Sequence, residues 1–370
     1  MTLNLTTENE RLESKPAKIS FQKYKEEDFF PVVKERVESY FNRFDISQKG
    51  DSLLYIKVFF IALLYLGSYF SLLFGHLGLA GIMLAYSLIG ISKGLLGFNI
   101  IHDALHGAFF RSPKANRFIG YWFDFNGTSS YIWKITHNVM HHTFTNIPGH
   151  DYDIDKATLL RLSPRDELLW FHRYQHIYSP ILYSLICLNW VLYSDYLWFF
   201  KSLKTKTVSL KEAALFFSLK ALNLFFFLIL PLLILENPFW QIIIGYVCMH
   251  IAAGFMISIV FQLGHIVEGV VYLSPDEEGK MANNWAKHEL LTTSNFATNN
   301  RLLTAAIGGL NFQIEHHLFP YISHIHYREI SKIVRQTAEE FNIPYNEVGT
   351  FREAIQSHFR TLKKLGSGKI

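Results

Sequence analysis

The chain has 370 residues, of which 50% are hydrophobic and 18% charged, and its formal net charge is +4 at neutral pH. This composition excludes an intrinsically disordered chain, and the sequence has no collagen or coiled-coil repeat. The mild charge gives no support for nucleic-acid binding. Cys187 and Cys248 both lie in apolar stretches, which excludes a disulfide framework, a CxxC zinc site and an iron–sulfur cluster.

The N-terminal segment, residues 1–52, is polar and carries charges of both signs, unlike a signal peptide. We predict that residues 1–20 are disordered and that residues 21–52 form a helix at the membrane surface. The apolar residues that recur at helical spacing in this segment are Phe29, Phe30, Val33, Val37, Tyr40 and Phe41.

Four windows are long enough to cross a bilayer, which takes about 20 apolar residues. Each window holds at most one formal charge, and the links within each pair are only three or four residues long. The sequence therefore predicts an all-α integral membrane protein with two helical hairpins and a helical cytoplasmic cap. The four predicted spans are residues 53–74, 79–101, 213–235 and 239–263.

The positive charges predict the orientation of these spans. Of the 35 Lys and Arg residues, 32 lie outside the windows and none lies in the two short links. Because positive residues stay cytoplasmic, both termini and the central segment are predicted to face the cytoplasm. A fifth window, residues 181–200, contains Asn189 and Asp195 and is interpreted as an interfacial helix, since another crossing would place the C-terminal segment outside.

Three histidine clusters follow or connect the predicted spans. Histidines three or four residues apart share one helix face, so each cluster can present several nitrogens to one point. His265 follows the fourth span as His102 follows the second, and the predicted topology places both at the same membrane face. The histidines predicted to converge are His102, His106, His137, His141, His142, His265, His316 and His317.

Neutral imidazole is the commonest metal ligand, and eight histidines exceed a single four-coordinate zinc site. The pattern therefore predicts two metal ions, and ligand chemistry alone leaves two irons, two zincs or copper open. Asp103 and Glu315 are interpreted as carboxylates that orient imidazoles. The other polar residues near the clusters that are candidates for such a supporting role are Asn138, Asn311 and His288.

These motifs resemble those of the membrane-bound fatty acid desaturases, closest to the branch of linoleoyl-coenzyme A and front-end desaturases. The resemblance covers roughly residues 50–345. It rests on His102-Asp-Ala-Leu-His106, on Trp133-Lys-Ile-Thr-His137-Asn-Val-Met-His141-His142, on Asp151-Tyr-Asp-Ile, and on Gln313-Ile-Glu-His316-His317.

The resemblance implies two iron ions held by the eight histidines at the cytosolic membrane face, with O2 as co-substrate. It implies removal of two hydrogens from an acyl-CoA or acyl-lipid, which leaves a cis double bond whose position, Δ6 among the candidates, stays open. Gln313 stands where the wider family has histidine, and three roles remain open for it: direct ligand, ligand through water, or no metal contact.

Residues 1–52 are too short for a fused cytochrome b5 domain and lack its His-Pro-Gly-Gly motif. We therefore expect a separate electron donor, a ferredoxin or a cytochrome b5-type protein. The predicted organisation is an N-terminal segment (1–52), a desaturase domain (53–345) and a C-terminal helix and tail (346–370). The alternatives are a membrane di-iron hydroxylase or ketolase and, from another class, a non-enzymatic metal or haem protein.

Overall fold

The computed structural model describes residues 19–154, 158–205 and 207–370, so the predicted disorder of residues 1–20 falls almost wholly outside the described residues. The described chain is almost entirely helical, which confirms the predicted all-α class. Two two-residue strands, β1 (Asn295–Phe296) and β2 (Glu347–Val348), pair in parallel. The helices are α1 (Phe29–Phe44), α2 (Ser52–Phe74), α3 (Leu79–Leu105), α4 (Pro113–Phe125), α5 (130–144), α6 (Trp170–Lys204), α7 (Leu210–Ile234), α8 (Phe239–His265), α9 (Trp285–Thr292), α10 (Arg301–Ala306), α11 (Gln313–Leu318), α12 (Tyr327–Glu340) and α13 (Phe351–Gly366).

Five of these helices are long and apolar enough to cross a membrane by length and composition. Helices α2, α3, α7 and α8 correspond to the four predicted spans. The fifth, α6, contains the window that we interpreted as interfacial and extends it to 35 residues. By length and composition, the described residues therefore contain five candidate membrane spans, one more than the four that the sequence predicted.

Helices α3 and α8 pack side by side in parallel. A Cβ atom added to Gly90 of α3 would lie 2.1 Å from the Met249 carbonyl oxygen, and one added to Gly245 of α8 would lie 2.3 Å from the Tyr86 ring. Glycine permits this close approach of two helices. Because residue numbers increase together along the contact, both helices reach the same end of the bundle at their C-termini.

A second core lies beside this end of the bundle and forms the cap. Phe29, Val33 and Val37 of α1 are buried in one apolar cluster with Ile330 and Val334 of α12. The apolar face of α1 that the sequence predicted is thus turned toward the protein. Helices α9 and α11 contribute to the same cluster, which holds them against the bundle.

We expect Gly90→Ala to lower the melting temperature of the purified protein, because the added methyl group meets the backbone of α8. Overpacking of this kind costs about 1–3 kcal/mol. The control is Gly67→Ala on α2, where an added Cβ has nothing within 4 Å. Thermal unfolding in detergent measures both variants, and equal melting temperatures would contradict the close α3–α8 contact.

Candidate metal centre

The second histidine cluster lies on α5, whose middle part is a π-helix. Ser130–Trp133 is α-helical, Lys134–His141 is π-helical, and His142–Phe144 forms a final α-helical turn. In an α-helix His137, His141 and His142 would spread over about 140° of the helix surface. A π-helix has roughly 4.4 residues per turn, which narrows the spread to roughly 80–100°. The π-helical stretch therefore turns all three imidazoles toward one side.

The structure brings all eight predicted histidines together. His102 and His106 stand at the end of α3, His265 at the end of α8, and His316 and His317 on α11. Potential ligand atoms lie within 4.8 Å of one another in three all-histidine groups, of which the third bridges the other two, and in a fourth group of His137, His141 and Asp153. The all-histidine groups are His102, His106, His137 and His316; then His141, His265 and His317; and finally His142, His316 and His317.

The ring nitrogens in these groups are buried but incompletely hydrogen-bonded. Among the cluster histidines of the described chain, six Nε2 atoms have no hydrogen-bond partner. A buried polar atom without a partner costs free energy, so the cluster is unfavourable on its own. Metal ions would supply the missing partners, and the all-imidazole donor set suits iron, zinc or copper. The six Nε2 atoms belong to His102, His106, His141, His265, His316 and His317.

Three of these imidazoles have an oxygen partner at Nδ1, the other ring nitrogen. The Nδ1 atom of His141 lies 3.0 Å from an Asp151 carboxylate oxygen, and that of His317 lies 2.7 Å from Glu289 Oε2. The Nδ1 atom of His316 lies 3.3 Å from the Tyr327 hydroxyl oxygen. An oxygen partner on Nδ1 fixes the tautomer and leaves Nε2 for a metal, as in known carboxylate–histidine–metal arrangements.

Burial and neighbouring charges together determine the protonation state of the cluster histidines. Burial and neighbouring imidazoles hold the pKa values of His142, His316 and His317 well below the usual histidine value. Burial also acts to lower the pKa of His141, but the Asp151 carboxylate outweighs it and raises that pKa to about 9. Metal binding requires neutral imidazole, so most of the set is ready to bind and His141 must release a proton.

The two carboxylates that the sequence singled out make their hydrogen bonds mainly outside the imidazole cluster, although Asp103 also lies near His102. Asp103 accepts hydrogen bonds from Ser323 Oγ and from Nδ1 of His324 at 2.9 Å, while its other oxygen is 4.0 Å from His102 Nδ1. Glu315 accepts from Asn295 Nδ2 at 2.8 Å and from the Tyr345 hydroxyl at 2.9 Å. The contacts of Glu315 are therefore with the cap, and those of Asp103 are mainly with the His324 loop.

Of the predicted supporting asparagines, Asn311 is buried and Asn138 is half-buried, and both donate hydrogen bonds to groups other than histidine. Asn138 donates to the Leu105 carbonyl at 3.0 Å, and Asn311 donates to Thr304 Oγ1 at 3.0 Å.

Gln313 donates to the Leu310 carbonyl at 2.7 Å, and its Cγ would lie 2.4 Å from a Cβ added to Gly264. That contact places Gln313 next to the chain neighbour of His265. The imidazole of His288 is 2.8 Å from the Thr145 carbonyl and belongs to none of the three histidine groups.

The sequence reasoning missed Glu289, Asp151 and Tyr327 as partners of the histidines. Glu289 is fully buried next to His288 in a short helix, where a buried carboxylate is unusual. Asp151 follows the second cluster closely and also accepts from the Asn146 backbone N–H at 2.8 Å. A carboxylate next to a histidine-rich segment was the available signal, but the pairing itself depends on the tertiary fold.

We expect Glu289→Gln to weaken metal retention about tenfold, because Glu289 Oε2 contacts His317 Nδ1 and accepts from Thr145 Oγ1, and the amide replaces one of the two carboxyl oxygens with an NH2 donor. The matched control is Glu315→Gln, which changes a buried carboxylate without a histidine partner. Metal content by mass spectrometry during a chelator titration measures the difference. Equal losses in both variants would contradict the anchoring role of Glu289.

Comparison with known proteins agrees with this geometry. A family model described as fatty acid desaturase matches residues 76–349. The sn-1 linoleoyl-lipid 6-desaturase of Synechocystis sp. is 35% identical over 91% of this chain and 95% of its own length. The protein of the same name from Arthrospira platensis is 33% identical over 91% of this chain and 92% of its own length. The acyl-lipid (8-3)-desaturase of Physcomitrium patens is 33% identical over 95% of this chain and 74% of its own length. The chain therefore belongs to the fatty acid desaturase family, as its histidine motifs predicted.

Proposed function

We propose that this acyl desaturase binds two iron ions and uses O2 to place a cis double bond at the Δ6 position of a lipid-linked polyunsaturated acyl chain. The observation that carries the proposal is the set of buried imidazoles whose Nε2 atoms face one another without protein partners. The donor count exceeds one metal site, and family membership favours iron over zinc or copper.

Two separate histidine sets, bridged by a third, would hold the iron pair. One ion would be held by His102, His106, His137 and His316, and the other by His141, His265 and His317, with His142 between them. When bound, iron supplies the O2 chemistry needed to remove hydrogen from an unactivated carbon chain. The protein residues keep the imidazoles in place: Asp151 and Glu289 hold the Nδ1 atoms of His141 and His317.

The substrate assignment rests on the relatives. Two of those compared are named as 6-desaturases of a linoleoyl lipid, and the third is named as an acyl-lipid desaturase. Among the described residues, Trp133 stacks on His137 with ring centroids 4.2 Å apart and also contacts His102 and His106. An indole face at this position gives an acyl chain an apolar wall beside the metal centre.

Electron balance requires a further partner. Reduction of O2 to two waters takes four electrons, and the substrate carbon–carbon bond provides two of them. We propose that a separate ferredoxin or cytochrome b5-type protein supplies the other two.

We further propose four membrane spans, with α6 not crossing. The start of α6 packs on α13, where a Cβ added to Gly366 would lie 2.0 Å from the His172 carbonyl oxygen. Its last part packs on the start of α7, where the rings of Phe199 and Phe216 stack at 3.8 Å. Both contacts are at the end of the bundle that holds the histidines. This arrangement, together with the distribution of positive charge, supports a metal centre and two termini in the cytoplasm.

To test the activity, the chain would be expressed in a host that lacks polyunsaturated fatty acids and supplied with linoleate. We expect a new product with an added Δ6 double bond by gas chromatography–mass spectrometry. His316→Ala should abolish the product because it removes a nitrogen shared by two histidine groups. His76→Asn, in the exposed link between α2 and α3, should leave the yield unchanged.

Iron content of the purified protein accompanies this assay. A hydroxylated product would replace the desaturase assignment with a hydroxylase. Iron-free protein that carries another metal or haem would reject the iron centre, whether or not the host provides an electron donor.

The topology is tested with a single-cysteine variant, Thr207→Cys, in the link between α6 and α7. In the four-span arrangement this position faces the cytoplasm, so a membrane-impermeant maleimide added to intact cells should not label it. Asn237→Cys, between α7 and α8, should be labelled in the same cells. Labelling of residue 207 from outside would show that α6 crosses the membrane.

A further inference from the structure

The turn between α4 and α5 is held by polar side chains from two apolar helices. The Phe125 carbonyl accepts from Asn223 Nδ2 at 2.8 Å, and the Gly127 carbonyl accepts from Lys220 Nζ at 2.6 Å. The backbone N–H of Ser129 donates to Asp195 Oδ2 at 3.1 Å. Three backbone groups of one short turn therefore depend on side chains of α6 and α7.

Lys220 and Asp195 also pair with each other. Lys220 Nζ lies 2.9 Å from Asp195 Oδ2, and the two side chains are only 3% and 6% exposed. The ammonium donates a third hydrogen bond, at 2.8 Å, to the carbonyl of Trp190, where α6 becomes π-helical. All three ammonium donors thus have acceptors, which is the condition under which a buried charge is tolerated.

Irregular backbone among apolar helices requires internal partners, because lipid offers none. Without Lys220, the buried Gly127 carbonyl would lose its hydrogen-bond donor. Without Asp195, the buried Ser129 N–H would lose its acceptor. The turn would then have to move to recover hydrogen bonds. The position of the turn is therefore tied to this ion pair.

This turn is the start of the helix that carries the second histidine cluster. Ser129 Oγ accepts from the Ile132 N–H, and Asp124 Oδ1 accepts from the Ser130 N–H, so α5 begins directly at the anchored residues. From there α5 continues without interruption into the π-helical stretch. A shift of its first turn is transmitted along the helix to the imidazoles.

We propose that Lys220 and Asp195 are positioning residues for His137, His141 and His142. In the described part of the chain, the hydrogen bonds of the pair go to the turn and to the Trp190 carbonyl, and the pair acts by fixing the start of α5. The predicted span 213–235 has this lysine as its single formal charge, and that lysine sets the direction of three metal ligands. The inference rests on the proposed iron site.

The experiment compares purified Lys220→Met/Asp195→Leu with Lys220→Met/Asp195→Asn. Both remove the two charges together, so neither leaves a buried charge unpaired. The asparagine oxygen can still accept from the Ser129 N–H, whereas leucine cannot. Lys93→Met is the control, because Lys93 is also a buried lysine in an apolar helix, with Nζ 3.7 Å from the Phe227 ring centroid and no contact with the turn.

Iron per chain is measured on the monodisperse, folded fraction during a chelator titration. We expect the leucine variant to lose iron at about tenfold lower chelator concentration than the wild type, a loss typical of residues that orient metal ligands. The asparagine variant should recover most of this loss, and Lys93→Met should match the wild type.

The positioning role is rejected if the leucine variant retains iron like the wild type, or if the two double variants lose iron equally. It is also rejected if both fail to fold while Lys93→Met folds, since the pair would then be a determinant of folding alone. A wild-type protein without iron would instead reject the proposed iron site, so the two failures are distinguishable.

Discussion

Burial of eight imidazoles in one place is the constraint on which the rest of this structure depends. Their unpaired nitrogens make the cluster unfavourable without an additional partner. The protein nevertheless brings them together from four separate elements. Glycine contacts align α3 with α8, the π-helical stretch aligns three histidines of α5, and the cap core holds α11 in place. Bound metal would repay the cost of this arrangement, so we expect metal affinity and folding of the cap to be coupled.

Oxygen atoms from outside the histidine cluster contact the Nδ1 atoms of three imidazoles and so orient the rings. Glu289 comes from α9, Tyr327 from α12, and Asp151 from the loop after α5. Each of these elements reaches the metal centre through a different part of the cap. These contacts orient three of the eight imidazoles, His141, His316 and His317, whereas α3 and α8 bring His102, His106 and His265 to the same end of the bundle.

Local sequence signals predicted the apolar spans and the histidine positions well, because span length and helical spacing are properties of short segments. They failed where neighbours in sequence face different ways. Glu315 adjoins His316, yet successive residues of a helix point about 100° apart, so Glu315 faces Asn295 and Tyr345 instead. Glu289 pairs with a histidine 28 residues away, which no local pattern encodes. The extent of α6 was also underestimated, because residues 170–180 are more polar than the predicted window, residues 181–200, that follows them.

The π-helical stretch of α5 has a consequence for how this enzyme can tolerate insertions and deletions. A π-helix holds one more residue per turn than the surrounding α-helix and is intrinsically less favourable. Deletion of one residue between Lys134 and His141 would let the segment relax into a regular α-helix while the hydropathy of the chain stayed the same. Four α-helical steps turn the chain by about as much as five π-helical steps. A deletion between His137 and His141 would therefore leave His137 and His142 in nearly the same relative direction and would turn His141 by roughly 30°. The ligand geometry thus depends on the number of residues in this segment together with its helix type, separately from the identity of the residues.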